Sequence, residues 1–249
     1  MRYLSILILT TQILFRIKMT TTLRPVTETI DRFMKITEKS ANVVLVKERE
    51  VIQWLYADLS FLPSIEKKNK SHDTKEYKIM EDEWGQNMLE KRRPDLKKHG
   101  QWTTKLGEHI TEELLILMGK TPSHPRKING YAPDTEVEDA IWEAKAQTFN
   151  TTGTAGEKIL GVPFKYADVP ELYGKPLKIL CMGCAEKLCR EHYGNLDGEK
   201  TTEKKRRFIE FYKENGIEWI GATELIEKIV ANEIDANEID ANEIDINNS

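Results

Sequence analysis

The sequence predicts a mixed α/β core behind a helical N-terminal region, on three observations. Apolar residues recur at three- and four-residue spacing through the first half of the chain. An alternating stretch followed by an apolar run appears in the second half. The 249 residues also include five Trp, eight Tyr and seven Phe among 39% hydrophobic residues, enough apolar mass to bury a core. Read along the chain, the order is helices, a hairpin, a helix, a strand, a helix, a strand and a helix, which is the pattern of an α/β layer structure.

The elements follow in order. Tyr3 to Phe15 is apolar apart from Ser5 and Thr10-Thr11-Gln12, with Arg2, Arg16 and Lys18 flanking it. No small-x-small cleavage site follows, so residues 1–18 read as a leader or as a misassigned start, with Met19 as the true one. Residues 19–80 form the helical N-terminal region: Val26 to Lys39 and Val44 to Leu59 carry amphipathic spacing, as in Val44, Val51, Leu55 and Leu59. Ser64 to Lys78 is lysine-rich and aperiodic and reads as a loop. The core is expected over residues 81–230. Leu106 to Met118 is a helix with Leu106, Ile110, Leu114 and Leu117 on one stripe and Gly119 as its stop. Strands are expected at about Asn129 to Asp134, Ala140 to Thr148 and Leu177 to Met182, then a charged helix from Thr201 to Asn215. Ile217 to Ile220 is a short strand, and Thr223 caps a last helix. Residues 231–249 repeat Ala-Asn-Glu-Ile-Asp three times and read as an acidic, disordered tail.

Charge is unevenly placed. The chain carries −4 overall, and the three repeats supply six acids and no base, so the remainder carries +2. Lys91, Arg92, Arg93, Lys97, Lys98 and Lys105 face Asp95 alone in one stretch, a distribution that suits an anionic partner as well as a solvated surface. No apolar run reaches the ~18–20 residues of a membrane span. Three cysteines are too few and odd in number for a secreted disulfide scaffold. The expectation is a soluble, intracellular protein with no membrane partner.

The chemistry-bearing residues lie in the hairpin. If Ala140 to Thr148 is a strand, Glu143, Lys145 and Gln147 share one face, and Trp142, Ala144 and Ala146 face a packed layer. Asp134, across a turn from Thr135 to Asp139, can converge with Glu143 on one divalent ion. Carboxylate oxygens with water and phosphate oxygens are what hard Mg²⁺ takes, and Lys145 beside them could orient an attacking water. A surface hairpin with cross-strand ion pairs would use the same residues. Thr154-Ala155-Gly156-Glu157 fits a capping box, and the loop from Thr151 presents backbone N–H groups that suit a phosphate. Cys181, Cys184, Cys189 and His192 offer four zinc ligands at a cramped spacing, although Cys181 also reads as a buried strand residue. The other histidines read as surface groups, with His109 next to Glu108 the one closest to the expected site.

Pro133-Asp134, eight residues, then Glu143-Ala144-Lys145 resembles the PD-(D/E)XK nuclease superfamily, and within it the type II restriction endonucleases. Gln101 to Glu108 and Thr151 to Lys158 resemble the flanking segments of such enzymes, and the resemblance spans about Trp84 to Ile220. It implies a restriction-endonuclease-like sheet core and Mg²⁺-dependent cleavage of double-stranded DNA. It places the metal on Asp134, Glu143 and the Ala144 carbonyl and the lysine role on Lys145. Glu108 is the match for an acid on the first core helix, with Glu112 as runner-up. Lys98, Lys105, Thr151, Thr154 and Lys158 are expected at nucleic acid, with Lys165 a further candidate. The resemblance further implies a homodimer, so that both strands are cut, and a cognate DNA methyltransferase acting on the same site. A repair or junction nuclease with the same core is an alternative, and a zinc-stabilised nucleic-acid-binding protein is another.

Overall fold

The structure is a computed structural model that describes residues 26–96, 102–150 and 155–233. The leader, the tail beyond residue 233, and Lys98, Thr151 and Thr154, the last being the cap residue of the expected capping box, lie outside the described residues.

Helices α1 (Val26–Lys39), α2 (Arg49–Leu55), α3 (Lys70–Arg92) and α4 (Trp102–Leu117) precede the sheet. Strands β1 (Thr135–Glu136) and β2 (Ile141–Gln147) form a short hairpin. Helices α5 (Ala155–Leu160), α6 (Val162–Lys165) and α7 (Val169–Tyr173) lead to β3 (Leu177–Gly183). Helix α8 (Cys184–Leu188), a π-helical turn (Cys189–Tyr193) and α9 (Glu203–Glu214) lead to β4 (Ile217–Gly221), and residues 222–233 form a last helix, α10. The sheet runs β1-β2-β3-β4, with β1 antiparallel to β2 and the other neighbours parallel. Parallel neighbours need long crossovers, and the helices between β2 and β4 supply them. The expected mixed α/β core with flanking helices is therefore present. Among the described residues no helix is long and apolar enough to cross a membrane.

Alternation along β2 divides the interior in two. Trp142, Ala144 and Ala146 join a core with α4, the N-terminal helices and α10, which runs in sequence from Ile30 to Val230. Ile141 faces a second core with Ile179, Cys181, Tyr166 and Trp219. The N-terminal helices thus share a core with the sheet, and α3 runs through the boundary expected at residue 80. Helix α4 comes close to β2 because residue 107 is glycine: a Cβ there would stand 2.9 Å from that of Ala146, inside van der Waals contact.

Two buried carboxylates fasten the helical layer. Glu113 on α4 accepts the backbone N–H groups of Val44, Leu45 and Val46 at 2.9–3.1 Å, so residues 42–48 form a tethered loop where a helix from Val44 was expected. Glu81 on α3 accepts the Trp54 indole N–H at 3.0 Å and the backbone N–H of Phe149 just beyond β2. Around it Trp54, Trp84 and Trp102 cluster in tilted and edge-to-face pairs with ring centroids 6.0–6.2 Å apart.

Three local expectations are corrected. The lysine-rich stretch expected as a loop to Lys78 is helical from Lys70, with the Asn69 side chain accepting the His72 N–H at 3.0 Å as its cap. No strand occupies Asn129 to Asp134, where Asn129 and Gly130 take positive φ and Ile128 bridges back to Tyr131. The strand partner of β2 comes later, at Thr135–Glu136. Thr223, expected as a cap, donates its hydroxyl to the buried Glu186 carboxylate and also gives it its backbone N–H.

Candidate active site

The site is assembled by the β1–β2 hairpin. Asp134 sits just before β1, and its Oδ2 accepts the Ala144 N–H at 2.8 Å, which holds its carboxyl against the middle of β2. Glu143 projects from the same stretch of β2 toward the second core, where only 5% of the residue is exposed. Lys145, two residues on and therefore on the same side, donates to Glu143 Oε1 at 2.7 Å and to the Ala144 carbonyl at 3.1 Å. Asp134, Glu143, the Ala144 carbonyl and Lys145 are thus brought together.

The electrostatics of this cluster are unbalanced. Burial pushes the Asp134 carboxyl up to about 6, the neighbouring Glu143 charge adds to the rise, and Lys145 and the Ala144 N–H oppose it. Glu143 Oε2 is buried with no hydrogen-bond partner among the described residues. An orphaned carboxylate oxygen in a low-dielectric site is costly. One lysine for a buried and a half-buried acid leaves a deficit that a cation would remove.

That observation tests the fit of a metal ion. The donors are all oxygens: the free Oε2 of Glu143, Asp134, and a backbone carbonyl. Such a hard set suits Mg²⁺, which binds through one or two carboxylates and keeps its remaining positions for water and phosphate. Among the described residues no three His, Cys, Asp or Glu side chains form a group able to hold a metal. Glu108 therefore stays outside the pair. It pairs with Lys105 on α4, and its charge reaches Asp134, whose carboxyl it helps to raise. Glu112, the runner-up, accepts from His109 Nδ1 at 2.7 Å, a bond that holds its carboxyl below the usual carboxylate range.

Zinc finds no such arrangement. Cys181 and Cys189 lie with their sulfurs 3.6 Å apart and fully buried, whereas His192 is exposed on the π-helical turn. The four residues form no metal-ligand group among the described residues, because β3 directs Cys181 into the second core and the turn directs His192 out of it.

Beyond the carboxyl end of β2 opens a cleft of about 460 Å³ that reaches Lys145, the position where open α/β sheets present ligands. Lys158 from α5, one of the residues expected at nucleic acid, lines it together with Gln147 of β2, Thr103 and Thr104 of α4, and Lys78 and Gln86 of α3. Lys105 does not line it and is held by Glu108. Lys165 lies over the Tyr166 ring, 4.5 Å from its centre, and donates to its hydroxyl.

Sequence reasoning missed Lys78, Gln86 and Tyr166. Tyr166 is buried beside the acids: burial and then the Glu143 charge push its phenol up to about 12. Its approach to Glu143 depends on the α5–α6 crossover, for which no spacing rule exists. The α3 residues could have been found from Lys70, Thr74, Lys78, Asp82 and Gln86, which recur every four residues.

Comparison with models of protein families, with curated proteins and with solved structures finds no match to this chain.

Proposed function

We propose that this protein is a Mg²⁺-dependent endonuclease acting on double-stranded DNA, of the restriction type, with a restriction-endonuclease-like core. The observation that carries the proposal is the buried Glu143 carboxylate, whose Oε1 holds Lys145 and whose Oε2 makes no well-formed hydrogen bond, with Lys145 itself in the wall of a lysine-lined cleft. A structural ion pair would satisfy both carboxylate oxygens. Here Oε2 makes no bond of good geometry, although the Tyr166 hydroxyl interacts with the Glu143 carboxylate.

When bound, Mg²⁺ supplies charge stabilisation on a phosphoryl oxygen and a more acidic water. The chain's own residues do the rest. Asp134 and Glu143 hold the charge in place, the first fixed by the Ala144 N–H and the second by its strand. Lys145 is only part-buried, so its ammonium can turn from Glu143 toward the cleft and meet a phosphate or an attacking water. Lys158 and the cleft's hydroxyl and amide groups position the backbone without reading bases. Cleavage of both strands by one such site per chain calls for a symmetric homodimer, and host DNA carrying the same target calls for a methyltransferase that protects it.

The test is digestion of unmethylated plasmid and long linear duplex with Mg²⁺, beside Lys145→Ala. Discrete fragments from the parent protein and at least a ~10²-fold slower reaction from the variant are expected, the scale of a lost proton-transfer or charge-stabilising group. A smear would replace restriction by a repair or degradative nuclease. Absence of cutting on unmodified, methylated and branched DNA would overturn the assignment.

A further inference from the structure

A second cleft adjoins the one beyond β2. Lys78 also lines this second cleft, of about 560 Å³, whose other walls are Lys70, Ser71, Thr74 and Lys75 of α3 and Asn150. The shared lysine makes the two neighbours along one face of α3. From Lys70 to Gln86 that face spans sixteen residue steps, about 24 Å at the α-helical rise.

The lining has one chemical character. Lys70, Lys75, Lys78, Lys145 and Lys158 supply five ammonium groups, and Asp82 is the single acid. Asp82 is already engaged, by Lys78 at 2.7 Å and by the Trp102 indole N–H at 3.0 Å. Lys70, Lys75 and Lys158 are exposed and form no salt bridge with another described residue. The remaining polar groups are hydroxyls and amides, which suit phosphate and sugar oxygens. Two adjoining clefts with a cationic, hydroxyl-bearing lining fit a polyanion with regularly spaced charges. At one phosphate per ~3.4 Å along a strand, 24 Å accommodates about seven.

We propose that α3 carries the nucleic-acid track of this protein: Lys70, Lys75 and Lys78 hold consecutive backbone phosphates of one strand and lead it to Lys145. The inference rests on the proposed function for the direction of the track, and it assigns to α3 a role that its sequence, which reads as a polar loop, does not suggest.

The experiment is fluorescence anisotropy with the full chain in EDTA, using a labelled duplex and the single strand of the same length over a range of NaCl. The variant Lys70→Ala/Lys75→Ala/Lys78→Ala should bind at least tenfold more weakly, and the slope of log affinity against log salt should fall by about two to three, since each phosphate contact contributes ~0.9. Lys204→Ala/Lys205→Ala/Arg207→Ala removes the same charge from α9, which lines neither cleft, and should keep the parental slope. Lys70→Gln/Lys75→Gln spares the Lys78–Asp82 pair and should lose about two-thirds as much slope, so a folding defect in the triple variant cannot decide the result. Loss confined to one probe identifies the track as duplex- or single-strand-specific and supports the proposal either way. An unchanged slope in the α3 variants, an equal loss in the α9 variant, or no binding by the parent overturns it. Because binding is read in EDTA, a protein that uses α3 to bind but never cuts with Mg²⁺ would overturn only the nuclease reading.

Discussion

Glu113 and Glu143 are both buried acids, and their surroundings separate structure from chemistry. Every oxygen of Glu113 is engaged by backbone N–H groups of residues 44–46. Glu113→Ala would leave three N–H groups unpaired in the interior and should cost on the order of 3 kcal/mol, measurable by urea denaturation. The Glu143→Gln change tests the opposite case. It removes one of two crowded charges, so melting temperature in EDTA should hold or rise while Mg²⁺-dependent cleavage is lost. The acid–eight residues–Glu-x-Lys spacing made Asp134, Glu143 and Lys145 legible because a hairpin brings near neighbours together. Glu113 gave no such signal, since its partners lie 67–69 residues away. Tyr166 was hidden for the same reason, reaching the site only through a crossover.

At the scale of elements, α3 shows how a helix escapes notice. Its buried positions are Glu81, Gly85 and Met88, helically spaced but with one apolar side chain among them, so no hydrophobic stripe marks them. Gly85 is small because the Trp102 ring lies where a Cβ would be, and Glu81 is the acceptor that burial of Trp54 and Phe149 requires. Burial raises the Glu81 carboxyl above its usual value, outweighing those hydrogen bonds. The folded protein therefore holds this proton more tightly than the unfolded chain. Stability should fall as pH rises from about 4.5 through the raised folded value and then level off. Melting temperatures across pH 4.5–7.5 should show this fall in the parent and a flatter profile in Glu81→Gln. The contact of α4 with β2 gives a second element-scale prediction. Gly107→Ala would gain some intrinsic helix propensity but force Cβ atoms to 2.9 Å. Overpacking should win, with a net loss of about 1–3 kcal/mol by denaturant melt.

For the whole molecule, the alternation of apolar runs and helical stripes was enough to expect an α/β architecture, and the described core has that form. The adjoining clefts were not legible, because they join a helix near residue 70 to a strand end near residue 147 and no local pattern spans that distance. Overall charge adds a prediction at this scale. Residues 234–249 contain five acids and no base, so removing them takes the net charge from −4 to +1. Truncation before Ile234 retains the Lys39–Glu233 ion pair. It should strengthen DNA binding at low salt, with the gain shrinking as NaCl approaches physiological strength; an unchanged salt dependence would show that the tail does not screen the DNA-binding face. The clustered Trp54, Trp84 and Trp102 rings make such measurements simple. Trp102 forms part of the cleft wall while its neighbours lie within 6.2 Å of it, close enough for excitation to pass among them. Three of the five indoles thus form a built-in optical probe, and a ligand entering the cleft should change the protein's own ultraviolet emission without any attached dye.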